Sequence, residues 1–465
     1  MSNTLQPHQK ELFGHPIGLY VLFFTELWER FSYYGMRALF TLFLVAETTK
    51  DNPGFGWTET EALSLYGWYT MLVYVSSIPG GWIADRLLGQ KKTVMLGGAL
   101  LCIGHAVLAL NSEVSFYVGC LFIILGVGCL KPNISSMVGG LYRPKDERRD
   151  LGFYIFYMGI NIGGFIAPII CGYVGEKINW HYGFGLAAIG MFIGQLVYIF
   201  GQKYLKNVGN LISKKNEEEK AILERPLTAI EKDRIKVLLL SFLLIILFWA
   251  AFEQAGGLMN LYAKQKTDRD FFGLFTIPAS VFQSVNSFFI IVLATAVGSF
   301  WLYWGRKGKE TSSLFKIAVG MIIMALGFGF MSAASIQYQN EGSSAMYWLI
   351  LAYLFHTIGE LCASPVSLSY ITKLAPLKYA SIIMGLYWAA TGFGNKIAGL
   401  IGEASQEFGE FEIFTGIAVI WSLIGIIVIL LMKPLKRLAH GAEDTEPKIS
   451  DQKAEDFKLA DQDIQ

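Results

Sequence analysis

Long apolar runs alternate with short polar loops along the chain, and the length of these runs restricts the fold more than any other feature. An α-helix needs ~20 mostly apolar residues to cross the hydrocarbon core of a bilayer. Charged residues make up 16% of the chain, against roughly 25% in soluble domains. We therefore predict an all-α polytopic membrane protein with twelve transmembrane helices. The predicted spans are 17–45, 63–84, 93–111, 115–141, 151–175, 182–202, 237–262, 273–304, 313–336, 344–372, 379–402 and 413–432.

A polar linker divides the predicted spans into two sets of six. Residues 203–236 contain 15 charged side chains and no run that could cross a bilayer. The first residues lack the basic, apolar and small-residue order of a signal peptide, so we expect the first span to be retained. The predicted organisation is an N-terminal segment 1–16, a six-helix bundle 17–202, the linker 203–236, a second six-helix bundle 237–432 and a disordered tail 433–465.

Lysine and arginine are distributed unequally between the two sets of loops. The loops after spans 2, 4, 6, 8 and 10 contain 21 of them, and the loops after the odd-numbered spans contain 5. Because cytoplasmic loops carry the excess of positive charge, we predict that both termini and the linker are cytoplasmic, in a protein of the plasma (inner) membrane. The net charge of +1 gives no general attraction for nucleic acid. The five cysteines lie within apolar runs, at spacings that suggest neither a metal site nor a disulfide framework.

Eight charged residues remain inside the predicted spans when those in loops and at span ends are set aside. An ionised side chain at the bilayer centre costs at least ~2.5–3.5 kcal/mol, so such residues usually face a cavity and pair with one another. Lys396 has no partner that the sequence makes evident, and we expect its side chain to extend towards the interface. The eight residues are Glu26, Glu29, Arg30, Arg37, Lys131, Glu253, Glu360 and Lys396.

The first span has a polar stripe on one helix face, which must line water or another polar helix. An ion-pair network that only locks helices together is the structural alternative. Two acids lie in the second half of the chain and three bases in the first, as is typical of gates made from ion pairs across a moving interface. The stripe consists of Glu26, Glu29, Arg30, Tyr33 and Arg37, the third base is Lys131, and the two acids are Glu253 and Glu360.

Two six-span halves joined by a long loop resemble the plan of the major facilitator superfamily, in which the binding site lies between the halves at mid-membrane. The loop after the second span reads GWIADRLLGQKK, from Gly81 to Lys92. It resembles the G-x-x-x-D-R-x-G-R-K signature of that superfamily. An ordinary basic loop on the cytoplasmic side is the alternative interpretation.

Longer motifs in both halves resemble the proton-dependent oligopeptide transporter (POT/PTR) family. The first span contains ELWERFSYYGMR, which fits the family pattern E-x-x-E-R-F-x-Y-Y-G. The fifth span contains FYIFYMGINIGGFIAP, close to F-Y-x-x-I-N-x-G. The seventh contains FWAAFEQAGGLMNLYA, which fits F-W-x-x-F-E-Q-x-G-x-x-x-x-Y-A, and the tenth contains GELCASPVSLS. The resemblance covers about residues 15–432 and implies the major facilitator fold.

The resemblance also implies a role for each of these residues. Two ion pairs would act as gates: Arg37 with Glu253 on the outer side, and Lys131 with Glu360 on the inner side. The carboxylate of a bound peptide would meet Arg30 and Lys131, and its amino group would meet Glu360, Asn161 and Asn286. The proton-coupling residues would be Glu26, Glu29, Arg30 and Glu253. The peptide-binding residues would be Arg30, Tyr33, Tyr34, Arg37, Tyr74, Lys131, Asn161, Glu253, Asn286, Glu360, Tyr387 and Trp388.

The function implied by the resemblance is a proton-coupled symporter that imports di- and tripeptides by alternating access between two six-helix bundles. Its driving force would be the proton gradient, without a cofactor, and we expect a monomer in the lipid bilayer. Another anionic or zwitterionic solute, such as nitrate or an amino acid, is the alternative substrate. A membrane-embedded enzyme is disfavoured, because no HExxH, G-x-S-x-G or Cys/His metal cluster lies inside the spans. A signalling receptor is disfavoured, because the short loops and acidic tail offer no signalling domain.

Overall fold

Long helices account for most of the structure, a computed structural model that describes residues 10–142, 146, 148–206, 208–211, 226–376 and 380–442. Within these residues there are twelve long helices, which confirms the predicted all-α polytopic class. A shorter helix, α13, follows them at Met432–Ala439, so the tail predicted to be disordered from residue 433 begins as a helix, and residues 443–465 of that tail lie outside the described residues. The long helices are α1 Ile17–Val45, α2 Glu59–Val75, α3 Gln90–Leu108, α4 Glu113–Gly140, α5 Arg148–Ala167, α6 Trp180–Gly201, α7 Ala229–Phe252, α8 Ser284–Arg306, α9 Ser313–Glu341, α10 Met346–Leu374, α11 Ala380–Phe408 and α12 Glu410–Leu430.

Nine of the helices in the described part of the chain are long and apolar enough to cross a membrane by length and composition alone. Helix α1 is not among them, because charged side chains lie in its middle, between Glu26 and Arg37. Those side chains are buried inside the protein. Helix α1 is therefore polar where it faces other helices.

Several helices change geometry before they end. Helix α2 continues through Ser77–Ile83 and a π-helical turn at Ala84–Leu88, and α5 continues through a π-helical turn at Pro168–Gly172 into Tyr173–Lys177. Helix α7 is interrupted by a 3₁₀ turn at Glu253–Ala255, and a separate helix runs from Leu258 to Gln265. The single predicted span 237–262 is therefore two helices, and Glu253 lies at the break.

The predicted span 273–304 begins too early. Residues 270–276 form a small hairpin, because Phe272 and Gly273 adopt left-handed backbone angles, with φ of 53° and 72°. A 3₁₀ turn at Ala279–Gln283 leads into α8. The described strands are β1 Glu11–Leu12 with β2 His15–Pro16, β3 Thr267–Asp268 with β6 Ser344–Ala345, and β4 Asp270–Phe271 with β5 Phe275–Thr276; β3 and β6 are parallel and the other pairs antiparallel.

The start of α1, the end of α6, the start of α7 and helix α13 share one end of the bundles, which we call the linker face; the opposite end is the distal face. Helix α7 begins at Ala229, before the apolar run, because Thr228 and Glu231 form a reciprocal capping box. Arg234 of α7 donates to the Ala439 carbonyl of α13 at 3.1 Å. Helix α13 is thereby held against the second bundle.

The helices pack as two bundles. In the first, α1 packs against α5 and α6, and α3 against α4 and α6; in the second, α9 packs against α10 and α12, and α7 against α11. Among the long helices of the described residues, two pairs make the most extensive contacts between the bundles, α2 with α11 and α5 with α8. The first pair crosses where Gly67 meets Gly399, since a Cβ built on Gly67 would lie 3.0 Å from the Gly399 Cα.

The contact between the end of α2 and α4 gives a test of packing within the first bundle. A Cβ on Gly80 would lie 1.9 Å from the Gly128 carbonyl oxygen, whereas a Cβ on Gly81 would have nothing within 4 Å. We expect Gly80→Ala to lower the free energy of unfolding by about 1–3 kcal/mol through overpacking. The thermal unfolding midpoint of the solubilised protein measures this, with Gly81→Ala as the matched control. Equal midpoints for the two variants would contradict the close approach.

Candidate functional site

The polar stripe of α1 begins with an internal ion cluster. The Arg30 Nε lies 3.0 Å from Glu26 Oε1, and Arg30 also pairs with Glu29. All three side chains are at most 4% exposed. One arginine therefore balances one of two buried carboxylates, so the cluster has a net negative charge when both acids are ionised.

Further along α1, Arg37 connects the two bundles. Its Nη2 lies 2.9 Å from Oε1 of Glu253, at the break in α7. Tyr66 of α2 accepts a hydrogen bond from Arg37 Nε at 2.8 Å and donates its own to the Glu253 carboxylate. Sequence reasoning missed Tyr66, because a lone tyrosine in an apolar run gives no signal without its partners.

The bundles are also bonded to each other at the distal face. Asn260 donates to the Thr41 hydroxyl at 3.3 Å. Glu176, at the end of α5, accepts from Lys264 at 2.8 Å and from the Ser280 backbone N–H at 2.8 Å. Together with Arg37 and Glu253, these contacts close the distal end of the interface between the bundles.

Lys131 of α4 lies against aromatic rings rather than a carboxylate. Its Nζ is 3.9 Å from the centroid of the Tyr74 ring and 5.1 Å from that of Trp388. The two rings stack with centroids 6.1 Å apart and planes inclined by 22°. Because Tyr74 belongs to α2 and Trp388 to α11, the lysine lies over a contact between the bundles. Lys131 is only partly buried.

Glu360 of α10 is held by an amide. It accepts a hydrogen bond from Asn286 Nδ2 at 2.9 Å, and the same nitrogen donates to the Thr357 hydroxyl at 3.0 Å. Among the described residues, Lys131 and Glu360 do not form the ion pair predicted for the inner gate. Both side chains are partly exposed.

The other predicted residues make contacts within and between the same helices. Arg30 lies over the Tyr33 ring at 5.5 Å and Arg37 over the Tyr34 ring at 5.6 Å. Asn161 donates to the Tyr157 carbonyl one turn earlier in its own helix, at 3.0 Å. The Tyr387 hydroxyl lies 3.4 Å from Ser367 Oγ. A cavity of about 20 Å³, enough for one water molecule, lies between Arg37 and Asn286.

Three further polar residues of the spans were not assigned a role from the sequence, and one of them, His356, lines the cavity between Arg37 and Asn286. His105 and His356 are buried, and in the described part of the chain neither ring nitrogen has a hydrogen-bond partner. Lys396 lies 3.6 Å from Glu403 and 4.9 Å from the Trp68 ring. Its charge is therefore met inside the protein, by a partner that the sequence did not make evident.

Comparisons with known proteins agree with this fold. The family model described as PTR2, POT family, matches residues 91–223 and 210–415. The chain is 36% identical over 484 residues to the uncharacterized transporter YclF of Bacillus subtilis (strain 168), covering 93% of this chain and 97% of that protein. It is 34% identical over 492 residues to the di-/tripeptide transporter of Lactococcus lactis subsp. lactis, covering 94% and 99% respectively.

Solved structures give the same result. A POT family transporter in complex with a thioalcohol-conjugated peptide is 32% identical, with a TM-score of 0.84 over 92% of this chain and 98% of that one. A POT family transporter in complex with 5-aminolevulinic acid gives the same identity, TM-score and coverage. The fold and the buried charges define an integral membrane transporter with two six-helix bundles. The chain belongs to the POT family.

Gly256 lies three residues after Glu253, at the break in α7. A substitution there tests the distal contact between Arg37 and Glu253 without removing a charge. A Cβ there would lie 1.9 Å from the Tyr66 hydroxyl and 2.7 Å from Arg37 Nε. We expect Gly256→Ala to destabilise the closed distal interface by ~1–3 kcal/mol. Spin labels at the exposed distal residues Lys50 and Phe272 would report this as a longer distance.

The control for this measurement is Gly416→Ala, since a Cβ on Gly416 has nothing within 4 Å. It should leave the distance between the labels at the wild-type value. A Gly256→Ala variant whose distances match those of this control would show that the Arg37 contact does not hold the distal face closed.

Proposed function

We propose that this protein is a proton-coupled symporter that imports di- and tripeptides by alternating access between its two bundles. One observation carries the proposal. Arg37 and Glu253 bridge the bundles at the distal side, while Lys131 and Glu360, on opposite bundles, are partly exposed and not paired with each other. A base and an acid are thus available to a ligand while the opposite side is closed.

The charges suit a zwitterionic ligand. A dipeptide has a carboxylate and an ammonium group separated by a short span. Arg30 and Lys131 would meet the carboxylate, and Glu360 with Asn286 and Asn161 would meet the amino group. Tyr33, Tyr34, Tyr74, Tyr387 and Trp388 would form the walls around the peptide side chains. A site that binds the two ends and the peptide group accepts many different side chains.

Proton coupling would follow from an exchange of partners. Glu29 pairs with Arg30 and Glu253 with Arg37 in the structure. A proton on either acid would remove the attraction for its arginine. An arginine released from Glu29 would be available to the peptide carboxylate, and an arginine released from Glu253 would free the bundles to separate at the distal side. Glu26, which shares Arg30, belongs to the same cluster.

The gates would then alternate. In the state described here the outer pair, Arg37 with Glu253, is formed. In the opposite state we expect Lys131 to leave the Tyr74 ring and pair with Glu360, closing the inner side. A binding site at the centre of the bundles would be exposed to one side of the membrane at a time.

The orientation in the membrane follows from the distribution of positive charge. We place the linker face, both termini and the linker in the cytoplasm, and the protein in the plasma (inner) membrane. The functional unit would be a monomer with bundles 17–202 and 237–432, the segment 1–16, the linker 203–236 and the tail 433–465. Protons would be the only species transported together with the peptide, and no cofactor would be needed.

The relatives support a peptide substrate. The Lactococcus lactis protein is named a di-/tripeptide transporter and the Yersinia enterocolitica protein, 34% identical over 507 residues, a peptide transporter. A single amino-acid-like zwitterion is the second candidate, because one POT family structure contains 5-aminolevulinic acid. Nitrate would use only the basic half of the site. Competition of labelled dipeptide uptake by tripeptides, single amino acids, 5-aminolevulinic acid and nitrate would distinguish these substrates.

Liposomes with an imposed proton gradient test the coupling. We expect the wild-type protein to accumulate a labelled dipeptide. Glu29→Gln and Glu253→Gln should lose accumulation, because an amide cannot exchange a proton, but should retain exchange of dipeptide across the membrane.

The control for these variants is Glu113→Gln, which changes an exposed acid at the start of α4. It should accumulate dipeptide as the wild type does. Normal accumulation by both Glu29→Gln and Glu253→Gln would rule out the proposed coupling.

A further inference from the structure

A separate cavity lies at the linker face of the second bundle. Its volume is about 780 Å³, and it is bounded by the loop between α8 and α9, the first turn of α9, the end of α10 and helix α13. Ser369 and Lys373 of α10 line it. Ser369 lies two and a half helical turns beyond Glu360 and so on the opposite face of α10. The cavity is therefore separate from the central site between the bundles.

The lining of this cavity is strongly basic. Among the described residues that line it, Glu310 is the single acid, and Lys436 of α13 lies 2.5 Å from the Glu310 carboxylate. Partial burial opposes ionisation of Glu310, but hydrogen bonds from Lys436 and the Ser312 backbone outweigh it and lower its pKa to about 2. With that acid ionised, the described lining residues include four lysines and one carboxylate, so lysines outnumber acids there. The lysines are Lys309, Lys316, Lys373 and Lys436.

The start of α9 adds to this positive potential. Ser313, the first residue of this 29-residue helix, lines the cavity. The N-terminus of an α-helix has a partial positive charge and favours anions. The neighbouring Ser312 also lines the cavity, and its backbone N–H donates to the Glu310 carboxylate at 2.9 Å.

Tryptophans place the cavity at the edge of the membrane. The Lys316 Nζ lies 5.5 Å from the centroid of the Trp301 ring, and the Lys309 Nζ lies 4.9 Å from that of Trp304. Tryptophan is enriched at the level of the lipid headgroups. Basic pockets between membrane helices at this level bind anionic headgroups.

We propose that this cavity is a binding site for a phosphate anion, and that the phosphate belongs to the headgroup of an anionic lipid. A soluble phosphoryl compound has the same chemistry and is the other source of such an anion. The volume lies within the ~300–1,000 Å³ of typical ligand pockets and leaves room for more of a headgroup than its phosphate. The site is independent of the transported substrate. A result that overturns the anion site would therefore leave the proposed transport function untouched, and the reverse also holds.

Lipid binding to the full chain tests the site. Native mass spectrometry of the solubilised protein would count bound phosphatidylglycerol against phosphatidylcholine, and a second series would titrate inorganic phosphate without anionic lipid. We expect Lys316→Gln with Lys373→Gln to weaken binding of phosphatidylglycerol about thirtyfold, since each lysine contributes roughly 1 kcal/mol near an anionic surface. Lys373→Gln alone should weaken binding of phosphatidylglycerol about fivefold. Because Lys373 is exposed, this single variant can be measured even if the double variant does not fold.

The matched control is Lys307→Gln with Lys433→Gln, which removes the same charge at the linker face from residues that do not line the cavity. It should bind phosphatidylglycerol like the wild type. Binding of inorganic phosphate that depends on Lys316 and Lys373, without binding of phosphatidylglycerol, would support the anion site and assign it to a soluble compound. Equal losses of phosphatidylglycerol binding in both double variants would overturn the proposal. So would binding of phosphatidylglycerol no stronger than that of phosphatidylcholine, together with no binding of inorganic phosphate.

Discussion

The cost of an ionised side chain within the hydrocarbon region is the constraint on which this structure depends. Each buried charge must face an opposite charge or a solvated space, and helix α1 supplies four such charges from a single face. Arg30 meets this requirement inside the first bundle, with Glu26 and Glu29. Arg37 meets it only by reaching the second bundle, at Glu253. The charges of one helix therefore supply one of the contacts that join the two bundles.

This dependence explains how a small chemical change could move large parts of the protein. Arg37, Tyr66 and Glu253 form a compact hydrogen-bonded network. Gly256 packs so closely against this network that its Cα has room for a hydrogen atom but not for a methyl group. Lys131 lies over aromatic rings, which bind a cation more weakly than a carboxylate does. Little free energy is therefore needed for Lys131 to leave these rings and pair with a carboxylate. In our proposal, protonation of an acid or arrival of a peptide changes which of these pairs is the more stable, and the bundles follow.

Much of the fold could be predicted from the sequence, because membrane thickness fixes the length of a span and helical spacing puts the charges of α1 on one face. The same reasoning placed one helix over 237–262 and missed the break after Phe252, since apolar composition continues through it. It also extended a span into 270–276, where exposed phenylalanines flank a tight turn. Tyr66 could not be found, because its role depends on contacts with two other helices. In our proposal the partner of Lys131 changes with the state of the transporter, which a sequence does not specify.

The most direct test of the central claim is the distance between the distal ends of α1 and α8 in liposomes, measured by spin labels at neutral and at acidic pH. If protonation of the buried acids releases the arginines, the distal distances in the wild type should lengthen as the pH falls. In Glu253→Gln they should already be long at neutral pH and respond less to acid. Distal distances that are the same at both pH values in the wild type, and unchanged in Glu253→Gln, would contradict the claim that these charge pairs control access to the site.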